Sequence, residues 1–168
     1  MDVKKYRVGE PRHYKAPQMV ITARPTVFLA GSVEMGLAEK WQDFAASQLI
    51  DRTDAVVLNP RRDDWDSSWR QSIEDPQFFE QVMWELFGLD AAAIALFYFD
   101  PSTKSPITLL ELGVRAASKP KSTVVACPPG FWRRGNVEIT CDKFGVTFYE
   151  TLSEAVDNVV ETLNGGEV

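Results

Sequence analysis

The sequence predicts an α/β fold, an open parallel sheet covered by helices on both faces. Three observations carry that prediction. Short β-branched and aromatic runs recur along the chain, and helix-length segments separate them. The runs are continuously apolar rather than alternating, as strands buried on both faces are. The intervening segments place apolar residues three and four apart, the period of a helix with one buried side. At 168 residues the chain has the length of one domain with one core.

The elements follow in order. Residues 1–25 contain Pro11, Pro17 and Pro25 and no sustained period, so they read as an irregular arm, leaving 26–168 as the domain. Thr26–Ala30 is a strand closed by Gly31. Leu37–Ile50 is a helix through Leu37, Trp41, Phe44, Ala45 and Leu49. Ala55–Leu58 is a second strand, which Pro60 ends because it has no N–H for the ladder. Asp75-Pro76 opens a helix as N-cap and first residue, and Phe78, Val82, Met83, Leu86 and Leu89 line it to Ala91. Ala93–Phe99 is a central strand and Ile107–Ala117 a helix. Thr123–Cys127 and Val146–Tyr149 are the fourth and fifth strands. Ser153–Leu163 is a closing helix with Ser153 as its N-cap.

Composition narrows the chemistry. The net charge is −6, with the first 24 residues at +4 and the remainder at −10, which argues against nucleic acid as a partner. The basic leader reads first as a solvated tail. No stretch approaches the roughly 18–20 apolar residues of a membrane span, and the start lacks an apolar signal core. A cytoplasmic protein with reduced Cys127 and Cys141 is expected. His13 is the only histidine, so a structural zinc site and Ser-His-Asp chemistry have no ligands or base unless His13 folds into a cleft. Carboxylates, hydroxyls, amides and aromatics remain.

Parallel sheets bind ligands beyond the carboxyl ends of their strands, so the informative loops are 31–36, 59–69, 100–106 and 128–136. Gly31-Ser32-Val33-Glu34 is small enough to approach a ligand but matches neither dinucleotide nor P-loop fingerprints; a bare strand–helix turn reads equally well. Glu111 lies in an apolar run, Leu109-Leu110-Glu111-Leu112. An unpaired buried carboxylate costs several kcal/mol, so Glu111 has partners or a task, or else it is exposed on an amphipathic helix. Glu85 sits in the similar run Met83-Trp84-Glu85-Leu86, with pairing to Gln81 as the plainer alternative. Two such acids suit paired-carboxylate chemistry at a sugar carbon. Asn59, Asp63, Asp64 and Trp65 could recognise hydroxyls and a heterocycle, or form a solvated loop. Trp132 and Asn136 follow the fourth strand and suit a planar ligand or a neighbouring subunit.

Together the segments FLAGSVEMG, NPRRDDWDSSW, SPITLLELG and GFWRRGNV, with Glu85, resemble the nucleoside 2-deoxyribosyltransferase-like family, from about Thr26 to Val146. The resemblance implies a flavodoxin-like (Rossmann-like) three-layer sandwich with a five-stranded parallel sheet, and a homo-oligomer. It implies cleavage or transfer of an N-glycosidic bond through a covalent glycosyl-glutamate, with no cofactor and a nucleoside or nucleobase as ligand. Glu111 matches the nucleophile, and Glu85 stands where the family carries an aspartate near the base. Ser32 and Ser105 match phosphate-binding serines of related hydrolases. Phe28 stands where the family often has a nucleophile-orienting tyrosine, and Glu34 where the hydrolases have an arginine. The Phe28 departure removes that hydroxyl, and the Glu34 departure favours a nucleoside over a nucleotide. Two other classes stay open: a catalytically silent nucleoside-binding module, and a partner-docking subunit.

Overall fold

The computed structural model describes residues 11–33 and 40–165. Among the described residues the strands and α-helices follow one another as β1 (His13–Lys15), β2 (Thr26–Gly31), α1 (Trp41–Arg52), β3 (Val56–Asn59), α2 (Pro76–Ala91), β4 (Ile94–Tyr98), α3 (Pro106–Ser118), β5 (Thr123–Ala126), α4 (Arg134–Phe144), β6 (Thr147–Tyr149) and α5 (Leu152–Leu163). Glu34 and the predicted helix start at Leu37 lie outside the described residues.

The sheet is parallel throughout, in the order β1-β3-β2-β4-β5-β6. Strands β2 to β6 form the flavodoxin-like arrangement. The count is six rather than five, because residues of the arm expected to be irregular add β1 at the edge, with His13 opposite Val57 and Lys15 opposite Asn59. Three residues are too short a run to show a period. Arg12 anchors the arm, donating from Nη1 and Nη2 to the carbonyls of Thr53 and Ile50 at 2.7 Å each. A cation there also faces the negative end of α1.

Alternation along the strands separates two apolar layers. Phe28, Ala30, Leu58 and Phe97 face Leu89 of α2, Leu112 and Ala116 of α3, and Val137 and Cys141 of α4. Val27, Leu29, Val57 and Leu96 face Ala45 and Leu49 of α1 and Val156 and Val159 of α5. Each large side chain buried this way contributes about 1.5–3 kcal/mol, which holds the loops at one sheet edge in register.

Helix α2 starts as its sequence predicts: Asp75 Oδ1 accepts from the N–H groups of Gln77 and Phe78, at 3.1 and 3.2 Å, with Pro76 at the first helical position. The cap of α5 is Thr151, not Ser153. Its hydroxyl accepts from the Glu154 N–H while the Glu154 carboxylate accepts from the Thr151 N–H, a complete capping box. Helix α4 begins at Arg134, inside the expected 128–136 loop, so Asn136 is helical rather than in a loop, and Val137 and Cys141 form its buried side.

Candidate active site

The chain leaves β2 for β3 on one side of it and later returns to β4 on the other, which opens a crevice at the carboxyl ends of β2 and β4. Gly31 faces Tyr98 across that pair. A Cβ on Gly31 would lie 2.5 Å from both the Tyr98 carbonyl oxygen and the Trp41 ring, so no larger residue fits. Trp41 Nε1 then donates to the Ser32 carbonyl at 3.1 Å, fixing the first residue beyond the strand.

Three buried hydroxyls meet there. Ser32 Oγ lies 2.5 Å from Ser105 Oγ and 2.8 Å from Thr103 Oγ1, and it accepts from the Asp100 N–H at 3.0 Å. The Thr103 and Ser105 hydroxyls are 2.8 Å apart. Ser105 is the N-cap position of α3 in the left-handed region, φ 47°, and caps with no side-chain bond. The cluster thus ties the loop after β2 to the start of α3. Sequence reasoning picks out Ser32 and Ser105 but not Thr103, whose only signal is its place in the 100–106 loop.

Further along α3, Glu111 is 8% exposed. Burial, and then the charge of Glu85, pushes its carboxyl up to about 8. Burial raises Glu85 as well, opposed by a hydrogen bond from Gln81. The two acids selected from the sequence are therefore brought within electrostatic reach of one another. Gln81, one turn before Glu85 on α2, is buried; its Nε2 donates to Glu85 Oε1 at 2.8 Å and to the Pro60 carbonyl at 2.9 Å. The pairing weighed as a surface alternative exists, but as part of a buried group.

The other expected residues are distributed around this centre. Phe28 is fully buried beneath α2, its ring 6.0 Å from that of Trp84. Asn59 is buried at the end of β3, with Nδ2 3.1 Å from His13 Nε2 and Oδ1 accepting from the Arg61 N–H. Burial, then Lys15, holds His13 below its ordinary value. Asp63 pairs with Lys15 at 2.8 Å, and both line a cavity of about 420 Å³ with His13, Gln18 and Asp64. Asp64 pairs with Arg62 at 2.7 Å, and Trp65 sits edge-on to Trp69. Trp132, half exposed, donates from Nε1 to the Lys104 carbonyl at 2.9 Å. With Asn136 and Gly113 it lines a separate cavity of about 340 Å³ between α3 and α4.

Among the described residues no group of three His, Cys, Asp or Glu side chains could hold a metal ion, and no helix is long and apolar enough to cross a membrane.

A doubly wound parallel sheet with a buried Glu111 whose carboxyl is perturbed by Glu85 gives a candidate carboxylate site on a flavodoxin-like fold. The family model described as nucleoside 2-deoxyribosyltransferase like matches residues 24–131, and the chain belongs to that family. The match spans Ser32, Glu85, Ser105 and Glu111 and ends before Trp132 and Asn136. No curated protein matches the chain. Among solved structures it is similar to a conserved protein from Enterococcus faecalis V583, with a TM-score of 0.60 at 11% identity, over 84% of this chain and 98% of that one. Identity that low speaks to the common fold alone.

Proposed function

We propose that the protein cleaves the N-glycosidic bond of nucleosides and passes the sugar to water or to a second base. The observation that carries the reading is the Glu85–Glu111 pair: a buried carboxyl on α3 whose ionisation the charge of the half-buried Glu85 on α2 makes more costly. A Glu111 oxygen attacks C1′ as the bond from C1′ to the base nitrogen breaks. The electrons of that bond stay on the nitrogen, which takes the proton carried by Glu85. An acceptor, water or a base N–H, then attacks C1′ and gives its proton back to Glu85, and the released ester oxygen restores the Glu111 carboxylate. In this reading Ser32, Ser105, Asn59, Asp63 and Asp64 bind sugar or base, with Trp65 and Trp132 as aromatic walls. The chemistry needs no metal or organic cofactor.

Chromatography of deoxynucleosides and ribonucleosides, each with and without a free base, tests the reading beside Glu111→Ala. A new nucleoside appearing only with acceptor marks a transferase, and free base without acceptor a hydrolase. Turnover that survives Glu111→Ala overturns the mechanism. One observation favours a silent binding module instead: the buried Phe28 ring supplies no hydroxyl to orient Glu111. Thermal stabilisation by a nucleoside without turnover would select that reading.

The same reading makes the protein a cytoplasmic homo-oligomer. Helices α2 and α3 leave Leu86, Phe87, Ile107, Leu110 and Val114 exposed, a set of large apolar residues that a second copy would cover.

A further inference from the structure

The two carboxyls are not equivalent, and Gln81 is what distinguishes them. The carbonyl of Pro60 can only accept a hydrogen bond, so the amide nitrogen of Gln81 must be the atom that faces it at 2.9 Å. That fixes the orientation of the whole amide. Its other N–H therefore points to Glu85 Oε1 at 2.8 Å, and the amide oxygen stays buried with no donor. Turning the amide over would set its oxygen against two acceptors. Glu85 thus receives a buried donor that favours its ionised form. What raises Glu111 is burial and the Glu85 charge. The cations nearby in sequence are engaged elsewhere: Arg115 with the carbonyls of Leu89 and Ala92, Arg62 with Asp64 and Glu80, Arg134 with Glu150 and the Cys127 carbonyl. Arg61, which keeps Nη1 buried and unpartnered, does not figure in the shift of either carboxyl.

Resting on the paired-carboxylate reading above, we propose that Gln81 is a positioning residue that places the pair's proton on Glu111 and its charge on Glu85 in the free protein. The resting distribution is then the reverse of the one the chemical step uses. Before attack, the proton moves from Glu111 to Glu85, leaving Glu111 as the carboxylate. As the glycosidic bond breaks, the same proton goes on to the base nitrogen. One proton serves the whole half-reaction, and no outside acid is required. Substrate binding that favours the exchanged form couples occupancy of the site to activation of the nucleophile.

The test is a titration of the full chain carrying ¹³C at glutamate side-chain carboxyls, followed by nuclear magnetic resonance. Glu85→Gln and Glu111→Gln assign the two signals. In the native protein Glu85 ionises first and Glu111 last, with a midpoint near 8. Gln81→Leu and Gln81→Met remove the donor while keeping a similar volume. In either, the ratio of protonated Glu111 to protonated Glu85 falls by about tenfold or more, the scale of a lost hydrogen bond to a charged group. An unchanged ratio in a folded variant overturns the proposal. So does a native protein in which Glu111 ionises first, a result that needs no variant to fold. The titration requires no turnover. A chain that cleaves no nucleoside can still show the Gln81 effect, and an active one can lack it, so the two readings fail separately.

Discussion

The guanidinium of Arg115 lies 2.6 Å from the carbonyl oxygen of Leu89, joining the buried face of α3 to the open end of α2. Its second nitrogen donates to the Ala92 carbonyl at 3.0 Å and to Ser122 Oγ at 3.0 Å. Helix α2 has no basic residue in its own last turn, so Arg115 supplies the cation that end lacks. The residue is 1% exposed, and burial lowers its proton affinity, opposed by the charge of Asp90. Arg115→Met is expected to leave those carbonyls unpaired and lower unfolding stability by about 2–4 kcal/mol, read by urea denaturation. Arg115→Lys, with fewer donors, is expected to recover only part of it. Because α2 carries Glu85, turnover should fall in parallel with this loss.

Gly88 is where α2 comes down on β2. A Cβ there would sit 2.9 Å from Phe28 Cε2, and the Phe28 ring is fully buried. Gly88→Ala gains helix propensity of about 1 kcal/mol but forces the ring or the helix to move. The expected net effect is destabilisation of about 1–3 kcal/mol. Phe28→Leu in the same chain should relieve the clash, so a double-mutant cycle by urea denaturation should show the two losses to be less than additive.

The sheet and its helices were legible because their signals are local. Continuous apolar runs mark β2 to β5, and the Asp75-Pro76 start is a cap that sequence alone specifies. Strand β1 was hidden because three residues carry no period, and its place at the edge depends on the Arg12 and β3 contacts, which are remote in sequence. Helix α4 was hidden because few of its residues are buried, chiefly Val137 and Cys141. Of the site, the two glutamates announced themselves as charges inside apolar runs. Gln81 was legible only as a surface partner of Glu85 and Thr103 not at all, since an amide or hydroxyl there is unremarkable until the fold brings Pro60 or Ser32 against it.

The exposed apolar residues of α2 and α3 give a prediction about assembly. Phe87 is 67% exposed and Leu110 65%. If a second copy covers these residues, Phe87→Lys with Leu110→Glu should give a folded monomer by sedimentation velocity where the native chain is an oligomer. A native chain that sediments as a monomer would remove the oligomer from the reading.

The hydroxyl cluster predicts a local effect. Ser32 Oγ is the acceptor for the Asp100 N–H, which lies inside a buried network. Ser32→Ala leaves that N–H without its partner and should cost about 1–3 kcal/mol. The Asp100 amide should then exchange its hydrogen faster than in the native protein, while amides of β5 on the far side of β4 keep their protection. Equal loosening of both would show that the cluster is not what holds the loop.

The stability of the fold depends on pH, with a sign set by the direction of the Glu111 shift. The folded protein holds the Glu111 proton up to about 8, whereas an unfolded glutamate releases it near 4.5. Between those values the folded state binds more protons than the unfolded one, so stability must fall as pH rises. The slope approaches roughly 1.4 kcal/mol per pH unit for one fully retained proton. Other groups contribute over part of the range; His13, held below its ordinary value, acts in the opposite direction below about 6.5. Comparing the native chain with Glu111→Gln cancels those contributions. The difference in urea-unfolding free energy between the two proteins should grow in favour of the glutamine variant from pH 5 to pH 8 and level off above it. A flat difference across that range would mean that Glu111 ionises in the folded protein much as it does unfolded, and that burial and Glu85 do not hold its proton in place.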